Sequence, residues 1–170
     1  TFCGGKGALQ AMAANYGMFL SDEDAQEIVD LWRAANPWAQ DFSRALWETM
    51  RRAHEDHDQT YQYGMIGFSF LKDYLGGSLL MHLPSGRVLT YRALRWETVH
   101  EYDDNDEIID SKWELTFARG YGRIKLWPGF FVENATQAVA ADVLRGTLVR
   151  IANSPSMPMI RAHTHDEVLL

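Results

Sequence analysis

The chain has 170 residues, 46% of them hydrophobic, and a formal net charge of −7 at pH 7. This length supports one core, and one domain or a domain and a half. The acidic balance argues against a protein that coats nucleic acid unspecifically. A single cysteine excludes an intrachain disulfide framework, and the apolar runs are too short for a membrane-spanning helix. From residue 111 onward, however, the chain contains seven Lys and Arg residues and five acidic residues. The acidic total therefore does not exclude a local phosphate-binding groove.

The first third of the chain predicts three helices. Residues 8–14 are rich in alanine and predict a helix, which we expect Gly17 to end. Ser21, followed by three acids, predicts the N-cap of a second helix that ends near residue 35. Pro37 can open a third helix, whose apolar face continues to about His54.

The middle of the chain predicts hairpins. Residues 78–83 and 88–94 flank the turn Pro-Ser-Gly-Arg and form the clearest hairpin pattern. Residues 58–76 only hint at alternation, and the polar residues 97–110 predict an exposed loop. Residues 113–127 suggest a further strand pair.

The last third predicts one long helix and a terminal hairpin. From Pro128 to about residue 151, apolar residues recur at helical spacing for about six turns. Apolar residues then flank His165, Asp166 and Glu167, which predicts two short strands with these three residues at the tip. Two adjacent carboxylates repel each other, and a bound Mg²⁺ or Mn²⁺ would remove that cost.

Four segments, taken in order, resemble family A DNA polymerases, the polymerase I type, in their phage-type branch. The similarity extends over essentially the whole chain. The segments are residues 5–14, residues 83–91 with the string Leu-Pro-Ser-Gly-Arg, residues 132–144 with the string Val-Glu-Asn-Ala-Thr-Gln-Ala, and residues 165–167.

The resemblance implies an α+β fold: a helical fingers portion over residues 1–60, then a palm portion over residues 61–170 with antiparallel hairpins and one long helix. The chain looks cut at both ends, because it opens with Thr1 rather than Met and stops at Leu170 just as a strand begins. The resemblance implies that the family's first catalytic aspartate should precede Thr1. The expected activity is template-directed DNA polymerisation in DNA replication or repair, with the fragment inactive alone. The expected location is the cytoplasm of a bacterial or phage-infected cell.

The resemblance also implies a two-metal mechanism, with Mg²⁺ or Mn²⁺ as cofactor. Asp166 would be a catalytic metal ligand. Glu167 would orient water or the primer end, and His165 would shape the turn or touch the primer backbone. The implied partners are primer-template DNA and deoxynucleoside triphosphates, with no membrane and no oligomer.

Further residues are implied to touch DNA or nucleotide. Asn134 and Gln137 share a helix face and would reach the minor-groove edge of the terminal base pair. Phe2 falls where the family ends its nucleotide-binding helix with Tyr-Gly, although Cys3 replaces the glycine. Charge and position alone suggest three phosphate contacts, which are Arg87, Lys125 and Arg161.

Two other functions compete with this interpretation. His163, His165 and Asp166 could belong to a zinc-dependent hydrolase fragment. Alternatively, the chain could be a non-catalytic nucleic-acid-binding or protein-binding remnant of a polymerase.

Overall fold

The computed structural model describes residues 4–57, 59–155, 159–164 and 167–169. Predictions that concern Phe2, Cys3, His165 and Asp166 therefore lie outside the described residues. Within the described ranges, no helix is long and apolar enough to cross a membrane.

The chain begins with the helices α1 (Lys6–Asn15), α2 (Asp22–Ala35) and α3 (Pro37–Glu55), as predicted. Gly17, at φ +74°, ends α1: its N–H and that of Met18 donate to the Ala14 and Ala13 carbonyls at 3.0 Å. Ser21 Oγ accepts the Asp24 N–H at 3.0 Å and caps α2. Local capping chemistry thus sets these helix boundaries.

Six strands of the described chain form one antiparallel sheet in sequence order. Each strand pairs with its neighbours in the chain, so every connection is a hairpin. The predicted hairpin around Pro-Ser-Gly-Arg and the predicted strand pair within residues 113–127 are confirmed, and the ambiguous residues 58–76 contain two strands. The strands are β1 (Thr60–Tyr63), β2 (Ile66–Leu71), β3 (Ser78–His82), β4 (Val88–Tyr102), β5 (Ile108–Arg119) and β6 (Gly122–Lys125).

The loop predicted over residues 97–110 is wrong. These residues continue β4 and begin β5, which pair from Arg95↔Thr116 to Tyr102↔Ile108. Only residues 103–107 form the turn, in which the Asp103 carboxylate accepts the backbone N–H groups of Asn105 and Glu107 at 2.8 and 2.9 Å. Residues 95–115 are called the arm below. The polar composition of residues 97–110 predicts a loop because both faces of the outer part of the arm are exposed, so neither face requires apolar residues.

The long helix α4 (Pro128–Ala152) and α3 cover one face of the sheet. Phe131 of α4 is fully buried there, and its ring contacts Phe68 of β2 and Tyr91 of β4, with ring centres 5.2 and 5.5 Å away. Leu46 and Met50 of α3 are also fully buried in this core. Burial of these apolar side chains holds both helices on the sheet.

The short strands β7 (Ala162–Thr164) and β8 (Glu167–Leu169) pair antiparallel as a separate hairpin. Their pairing confirms the predicted terminal hairpin. Together with the helices and the six-stranded sheet, it confirms the predicted α+β fold class.

Candidate functional site

The turn between β3 and β4 is fastened to the middle of α4 by polar contacts. Arg87 Nε donates to Asp142 Oδ1 at 2.8 Å, and Arg87 Nη2 donates to the Ala138 carbonyl at 2.9 Å. Ser85 Oγ donates to Asp142 Oδ2 at 2.6 Å. Gly86, at φ +81°, allows the tight turn that brings Ser85 and Arg87 to the same carboxylate. A charged pair joined by several hydrogen bonds therefore fixes this hairpin on α4.

The Ser85 hydroxyl and then the Arg87 guanidinium hold the pKa of Asp142 below its ordinary value of 3.8. We expect Asp142→Asn to lower the thermal midpoint of the chain by about 2–6 °C at about pH 6. A carboxylate whose pKa is lower in the folded state stabilises that state fully only at pH values above its unfolded-state pKa. The difference in thermal midpoint between wild type and Asp142→Asn should therefore shrink as the pH falls below about 4. Thermal melts at both pH values, with the exposed turn residue Asp104→Asn as control, test this. A difference that stays constant with pH would contradict it.

Asn134 is half-buried on the first half of α4. Its Nδ2 donates to the Tyr91 hydroxyl at 3.1 Å. Burial raises the pKa of Tyr91, so the hydroxyl stays neutral. The Tyr91 ring is itself held edge-on against Phe117 and Phe131. A rigid aromatic side chain therefore orients the Asn134 amide.

Gln137 lies one turn further along α4 and is exposed. Its Nε2 donates to Glu133 Oε1 at 3.2 Å, an exposed contact that solvent weakens. Because Asn134 and Gln137 are three residues apart, α4 presents two amides on neighbouring positions of one face. One amide is fixed by the core, and the other is accessible.

The three basic residues suggested for phosphate contacts are in different situations. Arg87 is committed to Asp142 and Ala138, and Lys125 on β6 forms an ion pair with Glu114 on β5. The Arg161 side chain is exposed, while its backbone N–H donates to the Leu169 carbonyl at 2.9 Å. The structure does not bring these three side chains together in one contact.

The terminal hairpin pairs Thr164 with Glu167. Glu167, predicted at the tip, is thus the first residue of β8, and it is exposed. Within the described ranges, no three His, Cys, Asp or Glu side chains come together as a metal site. The predicted metal ligand Asp166 and two of the three residues of the zinc alternative lie outside those ranges, and His163 is exposed on β7. Both metal predictions stay predictions.

A second polar cluster joins the base of the arm to β6, on the face of the sheet away from α3 and α4. Arg123 Nε donates to Glu97 Oε1 at 2.7 Å, and the buried Thr116 hydroxyl donates to the same oxygen at 2.5 Å. The Thr116 hydrogen bond contributes most to lowering the pKa of Glu97, and Arg95 and Arg123 add to it. Sequence reasoning missed this cluster because it placed Glu97 in a loop. The alternation of Arg95 and Glu97 with Trp96 was the available signal.

No protein-family model matches the chain, and no solved structure matches it. Among curated proteins, the DNA polymerase of Bacillus phage SP02 is 33% identical to this chain over 168 residues. That similarity covers 98% of this chain but 24% of the phage polymerase, so the chain spans about a quarter of its relative's length. The chain is therefore related to a segment of a phage DNA polymerase.

Proposed function

We propose that the chain is the late fingers and palm part of a template-directed DNA polymerase of family A, in the phage-type branch. One observation carries this proposal: similarity to a phage DNA polymerase extends over 98% of the chain. In this assignment residues 1–60 are fingers and residues 61–170 are palm. The partners are primer-template DNA and deoxynucleoside triphosphates, and Phe2 lies at the nucleotide side.

The terminal hairpin is assigned to metal binding. Carboxylate oxygens are the donors that Mg²⁺ and Mn²⁺ prefer, and the exposed position of Glu167 at the start of β8 fits this chemistry. Asp166 would hold the ion, Glu167 would orient water or the primer end, and His165 would contact the primer backbone. The bound ion would supply positive charge next to the phosphate that is transferred.

The first half of α4 is assigned to the primer-terminal base pair. Every base pair presents acceptors in the minor groove, so an amide N–H can test pair geometry without reading sequence. The Asn134 amide is held by the Tyr91 hydroxyl at 3.1 Å, which restricts its orientation. Gln137 is exposed and exchanges its weak contact with Glu133 for a base contact.

The contacts of the basic residues refine their roles. Arg87 already bonds to Asp142 and Ala138, so we assign it to holding the β3–β4 turn on α4 rather than to a phosphate. Lys125 is paired with Glu114, which offsets part of its charge and makes it a weaker phosphate contact. Exposed Arg161, beside the terminal hairpin, is the best phosphate contact of the three.

The amide assignment predicts a specific effect of Gln137→Ala in the intact polymerase. Because the Gln137 side chain is exposed, the thermal midpoint should not change. The kcat/KM for primer extension should fall about tenfold, as expected for the loss of one hydrogen bond. Single-nucleotide extension kinetics measure this effect.

The matched control is Thr136→Ala, an exposed neighbour on α4 that is not part of the proposed contact. Unchanged kcat/KM in Thr136→Ala and a tenfold loss in Gln137→Ala support the assignment. Equal values for wild type and both variants would refute the role of Gln137.

A further inference from the structure

The arm has one face without charged side chains. Cross-strand pairs Trp96↔Leu115, Thr98↔Trp113 and Tyr102↔Ile108 place these residues on the side of the sheet that carries the core. Beyond the helices, nothing in the described part of the chain covers this side: Trp113 is 66% exposed, Tyr102 57% and Ile108 55%. The arm thus extends the apolar side of the sheet into solvent.

The opposite face of the arm is charged and mostly acidic. Lys112 Nζ lies 3.2 Å from Glu101 Oε1 and 2.7 Å from Asp110 Oδ2, so one lysine serves two carboxylates. The turn at residues 103–107 adds four acids, and residues 98–113 contain six acids and one lysine. This face and the turn therefore attract cations.

Both edges of the arm are open within the described chain. The pairing of β3 with β4 stops at Leu79↔Tyr91, and that of β5 with β6 stops at Thr116↔Lys125. In the described ranges, the backbones of residues 95–102 and 108–114 thus pair only with each other, whereas the Leu115 carbonyl accepts the Leu126 N–H at 2.8 Å. The outward N–H and C=O groups of such strands are a template for a further strand.

We propose that the arm binds an extended segment of a partner protein whose residues alternate between apolar and basic, added as a strand along an open edge. Side chains of an added strand alternate between the two faces. Its apolar residues would extend the face with Trp113 and Tyr102, and its basic residues would extend the face with Glu101 and Asp110. A second copy of the arm would be a poor partner, because its acidic face would be repelled by the acidic face of the first. The phosphates of DNA would be repelled by the same acidic residues.

A pocket at the base of the arm offers an anchor for an apolar side chain of this segment. It has a volume of about 440 Å³ and lies between α3 and the arm. Trp47 and Met50 of α3 line one side together with the polar residues Arg51, His54 and Glu55, and Trp96 and Leu115 of the arm line the other side. Because Trp96 and Leu115 belong both to the pocket and to the uncharged face, a strand on the arm could place an apolar residue against these two side chains.

The test titrates the chain with the heptapeptide Lys-Val-Lys-Val-Lys-Val-Lys, using calorimetry and hydrogen exchange of the arm amides. We expect saturable binding that weakens with salt and protects arm amides from exchange. A peptide of the same composition in the order Val-Val-Val-Lys-Lys-Lys-Lys, and one with Glu in place of Lys, should bind at least tenfold more weakly. A DNA duplex should leave arm exchange unchanged.

Variants locate the binding. Trp113→Ser should weaken the alternating peptide at least tenfold, and Asp104→Asn with Glu107→Gln should weaken it about threefold at low salt. The controls are Trp38→Ser, an equally exposed tryptophan on α3, and Glu23→Gln with Glu27→Gln on α2, none of which should alter binding. Tyr102→Ser repeats the test if Trp113→Ser does not fold.

Four results would overturn the proposal. They are equal binding of the alternating and block peptides, binding unaffected by both Trp113→Ser and Tyr102→Ser, protection of the arm by DNA, and a dimer in sedimentation that Trp113→Ser dissociates.

Discussion

Replacing Phe131 by alanine should lower the free energy of unfolding of the chain by about 3–5 kcal/mol, the range for large aromatic side chains deleted from a core. Phe131 is fully buried, and its ring contacts Phe68, Tyr91 and Trp47, with ring centres 5.2, 5.5 and 6.0 Å away. These partners belong to two different parts of the fold, the sheet and α3. Their rings therefore cannot all move into the cavity that the alanine would leave. The decrease in the free energy of unfolding should therefore exceed the transfer free energy of the apolar surface that the Phe131 side chain buries.

Urea unfolding of wild type and Phe131→Ala measures this loss, with Phe19→Ala as the matched control. Phe19 is 93% exposed, so its replacement should change the free energy of unfolding by less than about 0.5 kcal/mol. If Phe131→Ala costs less than about 1 kcal/mol, α4 is not held on the sheet by this residue.

Much of the fold follows from local sequence signals. Ser21, Pro37 and Gly17 mark helix boundaries by capping chemistry that depends only on neighbouring residues, and all three behave as predicted. The turn at residues 84–87 and the long apolar periodicity after Pro128 are equally local. These elements could be predicted because their causes lie within a few residues of each other.

The arm could not be predicted as strands because its outer part has no buried face. A strand is usually recognised by apolar residues that alternate with polar ones, and burial of one face produces that pattern. Within residues 97–110, one face of β4 carries Thr98, His100 and Tyr102. Of these three residues, only Tyr102 is a large hydrophobic residue. Cross-strand pairing and the anchoring of Glu97 by Thr116 and Arg123 stabilise this segment instead.

The candidate site shows the same division. Asn134 and Gln137 could be placed together because helical spacing alone puts them on one face. The bond of Arg87 to Asp142, 55 residues away, depends on how the β3–β4 turn lies on α4, which periodicity does not reveal. A basic residue chosen by charge and position therefore proved to be part of a structural ion pair.

The Asp166→Ala variant of the intact polymerase should lose more than about a thousandfold in the rate of nucleotide incorporation. The proposed role of Asp166 is to hold a metal ion that neutralises charge on the transferred phosphate, and such stabilisation is worth several kcal/mol. Primer-template binding should be largely intact, because contacts spread over many phosphates dominate that affinity. Glu27→Ala, an exposed acid on α2, is the control and should keep normal activity.

Single-turnover primer extension, combined with a binding titration on the same primer-template, measures both quantities for Asp166→Ala. We expect incorporation to fall more than about a thousandfold while the Kd for DNA changes by less than about threefold. Incorporation at the wild-type rate would contradict the assignment of Asp166 to catalysis, and with it the polymerase site proposed for the terminal hairpin.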